Sequence, residues 1–188
     1  MRVVAGTYGG RRLKGPAHHG LRPTSGMVRR ALFDTIGDRL PGAIVLDLYA
    51  GTGALGIEAK SRGSGRVTFV ERDPRALVLL RQNLALLGLS PAEVEILGMP
   101  VDKALARLAS AGCLYDLILA DPPYGDPSIS EALAGIIAGR LLSPGGLLAL
   151  EHRTAAPPAL PSGLALKGRR KYGDTAISFL AVEEINVE

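Results

Sequence analysis

Apolar strand-like segments alternate with helical stretches from residue 43 onward, and this alternation is the feature that most constrains the fold. The predicted strands cover residues 44–48, 67–71, 94–97, 117–120 and 147–151. The helical patterns between them cover residues 54–61, 74–87, 101–109 and 129–142. Strands that alternate with helices form a parallel sheet covered on both faces. Residues 164–166 and 176–182 follow without a helix between them, which indicates an antiparallel hairpin at the sheet edge. The sequence therefore predicts an α/β fold with a mostly parallel, seven-stranded sheet that ends in a hairpin.

The first forty residues carry a basic excess that the rest of the chain lacks. They hold eight Lys and Arg against two Asp, whereas residues 41–150 hold nine basic and eleven acidic groups and residues 151–188 hold five of each. Two short strands at 2–4 and 11–13 and a helix over 26–39, capped by Ser25, are predicted here. We therefore predict a small basic extension over 1–40 and an α/β domain over 41–188. The extension's charge favours a polyanionic partner, although a solvated basic face has the same composition.

A glycine-rich loop follows the first predicted strand and opens a helix. Residues 51–56 fit the pattern G-x-G-x-x-G in the structural context that this nucleotide-binding motif requires. Asp47 stands four residues before Gly51, and its carboxylate would oppose a pyrophosphate but suits a ligand with an ammonium or sulfonium group. The alternative is an Asp that only caps the turn. Glu71 ends the second strand, where an acidic side chain accepts hydrogen bonds from ribose hydroxyls. Together these residues predict an adenosine-containing ligand.

The sharpest motif is Asp121-Pro122-Pro123-Tyr124, which follows the predicted strand at 117–120. The two prolines fix the backbone and remove two N–H donors, so carbonyl oxygens can point into a site without competition. The carboxylate of Asp121 and the carbonyl of Pro122 can accept both hydrogens of an exocyclic amino group. Tyr124 offers a face on which a nucleobase can stack. This motif predicts chemistry on the amino group of a base.

These residues resemble the S-adenosylmethionine-dependent amino-methyltransferases, whose fold is Rossmann-like and of class I. Flanking segments narrow the resemblance to the RsmD family. These segments are Arg2-Val3-Val4-Ala5-Gly6, Gly9-Gly10-Arg11-Arg12-Leu13, Leu21-Arg22-Pro23-Thr24, Val28-Arg29, Ala31-Leu32-Phe33 and Lys171-Tyr172-Gly173-Asp174-Thr175. The resemblance spans nearly the whole chain. It implies transfer of a methyl group from S-adenosylmethionine to N2 of one guanine in 16S ribosomal RNA, within an assembled or partly assembled small subunit.

The resemblance also implies roles for three groups of residues. The catalytic group is Asp121, Pro122, Pro123 and Tyr124. The cofactor-binding group is Asp47, Tyr49, Gly51, Gly53, Glu71, Arg72 and Met99. We assign phosphate contacts with RNA to Arg11, Arg12, Lys14, Arg22, Arg29 and Arg30. In the predicted reaction, an in-line displacement, Asp121 and Pro122 orient the amino group toward the methyl carbon.

Two positions depart from the family pattern. Arg29-Arg30 stands where relatives usually have Arg-Glu, and we expect both side chains to point away from the core toward a partner. Met99 stands where relatives often hold the adenine amino group with Asp or Asn. We expect Met99 to contact adenine instead through its backbone N–H and its thioether.

Composition and cysteine usage narrow the remaining possibilities. No apolar run approaches the roughly 20 residues of a membrane span, and no secretory signal pattern is present, so we expect a soluble, cytoplasmic monomer. Cys113 is the only cysteine, and His18, His19 and His152 have no matching ligand spacing, so no metal is predicted. Three alternatives stay open: an adenine-N6 DNA methyltransferase, a nucleotide-dependent oxidoreductase, and a non-catalytic RNA-binding assembly factor.

Overall fold

The strands of the central sheet run in the order β3-β2-β1-β4-β5-β7-β6 in the computed structural model, which describes residues 1–15 and 26–183. The strands are β1 (Ile44–Leu48), β2 (Arg66–Glu71), β3 (Val94–Gly98), β4 (Tyr115–Ala120), β5 (Leu142–Arg153), β6 (Leu164–Tyr172) and β7 (Thr175–Val182). The helices are α1 (Gly26–Ile36), α2 (Ala54–Ser61), α3 (Pro74–Leu86), α4 (Val101–Ser110) and α5 (Ile129–Ala138), and a 3₁₀ turn (Gly37–Arg39) follows α1.

The pairing of the strands brings the predicted site residues to one edge. Strands β1 to β5 pair in parallel, and β7 lies antiparallel between β5 and β6. Leu48 of β1 pairs with both Val70 of β2 and Ala120 of β4. Parallel strands place their carboxyl ends at a common edge, and ligands bind there where the strand order reverses. The predicted α/β fold with a terminal hairpin is confirmed.

Two apolar layers sandwich the sheet. One contains residues of α1, α2 and α3, including Phe33, Ile57 and Leu80, against one face. The other contains residues of α4 and α5, including Leu105 and Leu133, against the opposite face. Burial on both faces explains why β1 and β4, apart from Asp47 and Asp116, are apolar throughout instead of alternating. Within the described chain, no helix is both long and apolar enough to cross a bilayer.

The carboxyl-terminal third differs from the sequence-based prediction in its boundaries. The predicted helix over 129–142 ends at Ala138, because Arg140 adopts a left-handed φ of 50° and β5 already begins at Leu142. Such a conformation is unfavourable within a helix of L-residues. The predicted strand at 164–166 extends through Gly168 as far as Tyr172, with a register shift between Leu166 and Gly168 that leaves Lys167 as the extra residue of a bulge.

The N-terminal extension is docked on α2. Its two predicted strands are reduced to one antiparallel bridge between Arg2 and Arg12. The backbone amides of Val4 and Ala5 donate to the two carboxylate oxygens of Glu58, over 2.7 and 3.0 Å. Glu58 is fully buried, and backbone N–H donors are what a buried carboxylate requires. The extension also places apolar side chains in the same core layer as α1 and α2, while the division into domains at residue 40 stays a prediction.

One expectation about the extension is wrong. Arg29 does not point to solvent, because only 2% of it is exposed. Its Nη2 donates to the carbonyl of Arg2, and its Nε lies 3.7 Å from Oε2 of Glu58. Burial lowers the pKa of Arg29, and the charge of Glu58 partly offsets this effect. Arg29 is inside because the buried Glu58 needs a countercharge, whereas Arg30 is exposed as expected.

Candidate active site at the carboxyl edge of the sheet

The loop after β1 has the backbone that its glycines predict. Gly51 and Gly53 have φ values of 56° and 84°, in the region that favours glycine. A Cβ at Gly53 would lie 2.4 Å from Cδ1 of Leu80, so this glycine allows the loop to pack closely on α3. A Cβ at Gly51 would meet nothing closer than 4.0 Å. The loop is therefore tight against the protein at Gly53 and open at Gly51.

Asp47 lies beneath this loop and is 1% exposed. Its Oδ2 accepts a 2.8 Å hydrogen bond from the backbone N–H of Gly56, in the first turn of α2. Burial raises the pKa of Asp47 to about 8, the Gly56 bond opposes this rise, and the nearby carboxylates of Asp121 and Glu71 add to it. This geometry supports the alternative role of Asp47 as a cap of the turn. Its direct contact with a cofactor stays a prediction.

Glu71 closes the other side of the loop. Its Oε2 accepts from the backbone N–H of Gly51 over 2.7 Å, and its Oε1 accepts from Arg72 and Asp73 over 2.7 and 2.8 Å. A carboxylate offers about four acceptor positions, so three are occupied and one is open to a ribose hydroxyl. Holding both hydroxyls of a ribose therefore requires Glu71 to release one of these amides.

The other predicted cofactor contacts have mixed outcomes. The backbone N–H of Met99 donates to the carbonyl of Leu97 over 3.0 Å, so it is already used within the chain, whereas the partly buried Met99 side chain packs beside α4. Arg72 is exposed. Tyr49 has a positive φ of 59°, which is uncommon outside glycine and often marks a site. Its buried hydroxyl makes no hydrogen bond of normal geometry within residues 1–15 and 26–183, and burial raises its pKa.

The turn after β4, residues 121–124, lies beside the glycine loop because β4 and β1 are neighbours. We refer to it as the Asp121 turn. Asp121 is half-buried, Pro122 is buried and Pro123 is exposed. The carboxylates of Asp121 and Asp47 are close enough for one to raise the pKa of the other. The structure thus brings together the acidic residues that the sequence predicted at the ends of β1, β2 and β4.

Tyr124 is anchored through contacts that the sequence analysis missed. Its hydroxyl lies 2.7 Å from Oγ1 of Thr175 and donates to Oε1 of Glu151 over 3.2 Å. The guanidinium of Arg153 covers its ring at 5.1 Å from the centroid, which is within the range of a cation–π contact. Burial raises the pKa of Tyr124. Thr175 belongs to the Tyr-Gly-Asp-Thr segment at residues 172–175, which was the one signal in the sequence that could have indicated this contact with Tyr124.

A cleft of about 320 Å³ opens between the Asp121 turn and the carboxyl end of β5. Pro122, Pro123 and Tyr124 line one side, and Glu151 and Arg153 line the other. The volume is within the usual range for a small-molecule site. The cleft therefore offers an apolar wall, a carboxylate and a guanidinium next to the predicted catalytic turn.

The predicted RNA-contacting residues are distributed unevenly. Arg11, Arg12, Lys14 and Arg30 are exposed, Arg29 is buried, and Arg22 lies outside the described residues, as do His18, His19 and Ser25. Asn83 of α3 fixes the backbone at Lys14. It accepts from the Lys14 N–H over 2.7 Å, and its Nδ2 donates to the carbonyls of Lys14 and Thr52 over 3.1 and 2.9 Å. One buried amide therefore joins the basic extension to the glycine loop.

The family model described as conserved hypothetical protein 95 matches residues 1–181. The chain belongs to this family. It is the RsmD family that the motifs predicted, and that prediction is confirmed. The chain is 34% identical to YlbH of Bacillus subtilis (strain 168), over 95% of this chain and 97% of YlbH. It is 30% identical to the ribosomal RNA small subunit methyltransferase D of Escherichia coli (strain K12), over 94% of this chain and 87% of that protein.

Solved structures agree with this membership. The structure of yhhF from Escherichia coli superposes with a TM-score of 0.85 at 28% identity, covering 97% of this chain and 98% of that chain. SMU.776, a methyltransferase structure that contains SAH, superposes with a TM-score of 0.67 at 17% identity, over 86% of this chain and 50% of that chain. The predicted class I methyltransferase fold of this RsmD-family chain is confirmed.

Proposed function

We propose that this RsmD-family chain transfers a methyl group from S-adenosylmethionine to N2 of a guanine in 16S ribosomal RNA of the small subunit. The observation that carries the proposal is the meeting of the Asp121 turn, the glycine loop and Glu71 at one edge of the sheet, beside the cleft of about 320 Å³. The similarity to the ribosomal RNA small subunit methyltransferase D of Escherichia coli supports ribosomal RNA as the substrate.

The residues at this edge fit S-adenosylmethionine. Gly51 leaves room for close approach of a ligand to the backbone, and Glu71 retains an acceptor position for a ribose hydroxyl. Burial raises the pKa of Asp47 to about 8, and a cationic group bound near the loop would lower this pKa and favour the carboxylate. When bound, the cofactor would supply a methyl group activated by a sulfonium. A pyrophosphate, as in a nicotinamide cofactor, would instead meet the carboxylates of Glu71 and Asp121.

The Asp121 turn would orient the amino group of the base. The Asp121 carboxylate and the Pro122 carbonyl accept its two hydrogens, which directs the N2 lone pair toward the methyl carbon. As N2 bonds to the methyl carbon, the bond from that carbon to the sulfonium sulfur would break and S-adenosylhomocysteine would leave. N2 gains positive charge in this step, and the same two acceptors stabilise that charge. N2 then loses one proton to Asp121 or water. No strong base is needed, because a methylated and positively charged N2 is acidic.

The anchoring of Tyr124 serves the same reaction. The contacts of its hydroxyl with Thr175 and Glu151 hold the turn against β5 and β7. Its ring forms part of the wall of the cleft. A guanine must leave its stack to enter such a cleft, so an unpaired guanine is the favoured target. The exposed Arg11, Arg12, Lys14 and Arg30 would contact the RNA phosphates.

The experiment is a methylation assay with purified protein, labelled S-adenosylmethionine and small ribosomal subunits that lack the modification. Mass spectrometry of the digested RNA should find N2-methylguanosine. Asp121→Ala should lower the rate by at least about 100-fold while calorimetric affinity for S-adenosylhomocysteine is retained. Asp38→Ala, at an exposed carboxylate in the 3₁₀ turn after α1, is the matched control and should keep full activity.

Three results would contradict the proposal. N6-methyladenine in duplex DNA would identify a DNA methyltransferase, and tight NAD binding without S-adenosylhomocysteine binding would identify an oxidoreductase. Cellular function that persists in Asp121→Ala would indicate a non-catalytic assembly factor.

A further inference from the structure

The outer strand of the sheet, β6, carries four cations and no acidic residue. They are Lys167, Arg169, Arg170 and Lys171. Lys167, Arg170 and Lys171 are exposed, and Arg169 is half-buried, with its Nε donating to Oγ of Ser178 over 3.0 Å. In the part of the chain that the structure describes, none of the four belongs to an ion pair. Because residues 151–188 balance at five basic and five acidic groups, the average charge hides this concentration.

Sheet topology places this row of cations next to the cleft. β6 and β5 are both antiparallel to β7, so they run in the same direction, and their carboxyl ends share one edge. Thr175 pairs with Arg153 on one side and with Tyr172 on the other. Neighbouring strands lie about 4.8 Å apart, so the end of β6 is roughly 10 Å from the β5 residues that line the cleft.

The cations are available from both faces of the sheet. Arg170 pairs with Ile177, whose side chain lies in the α1–α3 layer, whereas Lys171 pairs with Ala176 and therefore faces the other side. Among the residues that the structure describes, β6 is the outermost strand of the sheet, so no further strand separates the two sets. A nine-residue strand is about 30 Å long, which is long enough to follow several phosphates of a polynucleotide.

We infer that β6 is a second RNA-binding surface, which holds the phosphodiester backbone of the strand whose guanine enters the cleft. The inference rests on the proposed function and adds a surface separate from the N-terminal extension. Charge complementarity supports it, because unpaired exposed cations gain free energy by releasing the counterions of RNA. Asp174 in the β6–β7 turn and Glu183 after β7 are the carboxylates at the two ends of the hairpin, and neither forms an ion pair with the row.

A different role of edge cations is the competing explanation. Lys and Arg on an outer strand can prevent another chain from adding to the sheet. This role requires charge but no particular partner. It predicts self-association when the charges are removed, whereas the RNA-binding role predicts a loss of affinity for RNA by a monodisperse protein.

The test compares Arg170→Gln/Lys171→Gln with the matched control Arg66→Gln/Arg107→Gln. The control residues are exposed and sit beside Glu95 near the opposite, amino edge of the sheet. Binding of the full-length protein to unmodified small ribosomal subunits is measured over a series of salt concentrations. The β6 variant should lose roughly tenfold in affinity, and its salt dependence should fall by about 1.5 released ions. The control and Arg170→Lys should match the wild type.

Further measurements separate the possible outcomes. The lower RNA affinity of the β6 variant would support the inference if three other properties are unchanged. These are its affinity for S-adenosylhomocysteine, its melting temperature and its kcat at saturating RNA. Lys167→Gln/Arg170→Gln, which keeps Lys171, provides a second pair if the first variant folds poorly. If both variants bind RNA with wild-type affinity and wild-type salt dependence, the inference is overturned, whether or not light scattering detects dimers. A wild-type protein that forms no N2-methylguanosine would overturn the proposed function and this inference together, whereas an active enzyme insensitive to both variants overturns only the inference.

Discussion

The hydroxyl of Tyr124 lies 2.7 Å from Oγ1 of Thr175, and these two residues are 51 positions apart in the chain. The contact ties the turn that follows β4 to the first residue of β7. It explains how a hairpin at the sheet edge can influence the proposed catalytic turn in the middle of the sheet. The short Tyr-Gly-Asp-Thr segment thereby gains a structural role in positioning the Asp121 turn.

Thr175→Val tests this positioning role. The substitution keeps the shape of the side chain but removes the hydroxyl, so Tyr124 retains only the longer bond to Glu151. We expect kcat for rRNA methylation to fall roughly 10- to 100-fold, because small displacements of an orienting group are costly. Affinity for S-adenosylhomocysteine should not change, and Thr175→Ser should restore the rate. Equal kcat values for Thr175→Val and Thr175→Ser would show that the contact between Tyr124 and Thr175 has only a structural role.

Arg11→Ala/Arg12→Ala tests the N-terminal extension as a phosphate-binding surface. Both side chains are exposed, so their removal should leave the fold intact. Affinity for the ribosomal substrate should fall, and its salt dependence should weaken by about one to two ions. Binding titrations at several salt concentrations measure both effects, with S-adenosylhomocysteine affinity as the internal control. A salt dependence equal to that of the wild type would identify these arginines as a solvated face.

Asp47 should give the stability of the unliganded protein a distinctive pH dependence. The folded protein holds this proton up to about pH 8, whereas the unfolded chain releases it near pH 4. The folded state therefore binds more protons between these values, and the free energy of unfolding should fall as pH rises, by up to about 1.4 kcal/mol per pH unit. Asp47→Asn can still accept from Gly56 but does not titrate, so it should remove this component. Parallel curves for both proteins in urea unfolding from pH 5 to 8 would contradict the prediction.

Arg29 and Arg30 form a natural matched pair for testing burial. Arg29→Ala removes a countercharge of the buried Glu58 and the donor to the Arg2 carbonyl. It should lower the free energy of unfolding by about 3 kcal/mol, at the lower end for a broken buried pair because Arg62 still contacts Glu58 at 2.9 Å. Arg30→Ala should change it by less than about 0.5 kcal/mol. Similar values for the two variants in urea unfolding would mean that the buried pair contributes nothing.

The sequence by itself determined the order of the elements, the glycine loop and the Asp121 turn. These features depend on short-range physics: the hydrophobic period of a segment, the φ angles open to glycine, and the donors that proline removes. For this reason β1 and α2 were predicted with the boundaries that the structure has. The same physics placed the end of α5 wrongly at residue 142, because the apolar Leu141 and Leu142 suit a helix or a strand equally.

Only the tertiary structure decided which polar side chains are buried and which are exposed. Arg29 and Arg30 are adjacent in a basic helix. Arg29 is buried beside Glu58 of α2, whereas Arg30 is exposed to solvent. Tyr124 finds Thr175 and Glu151 only after β5 and β7 have paired. Such choices depend on partners that are tens of residues away in the chain. The free energy of desolvating a charge depends on whether those partners are present, and no local pattern contains that information.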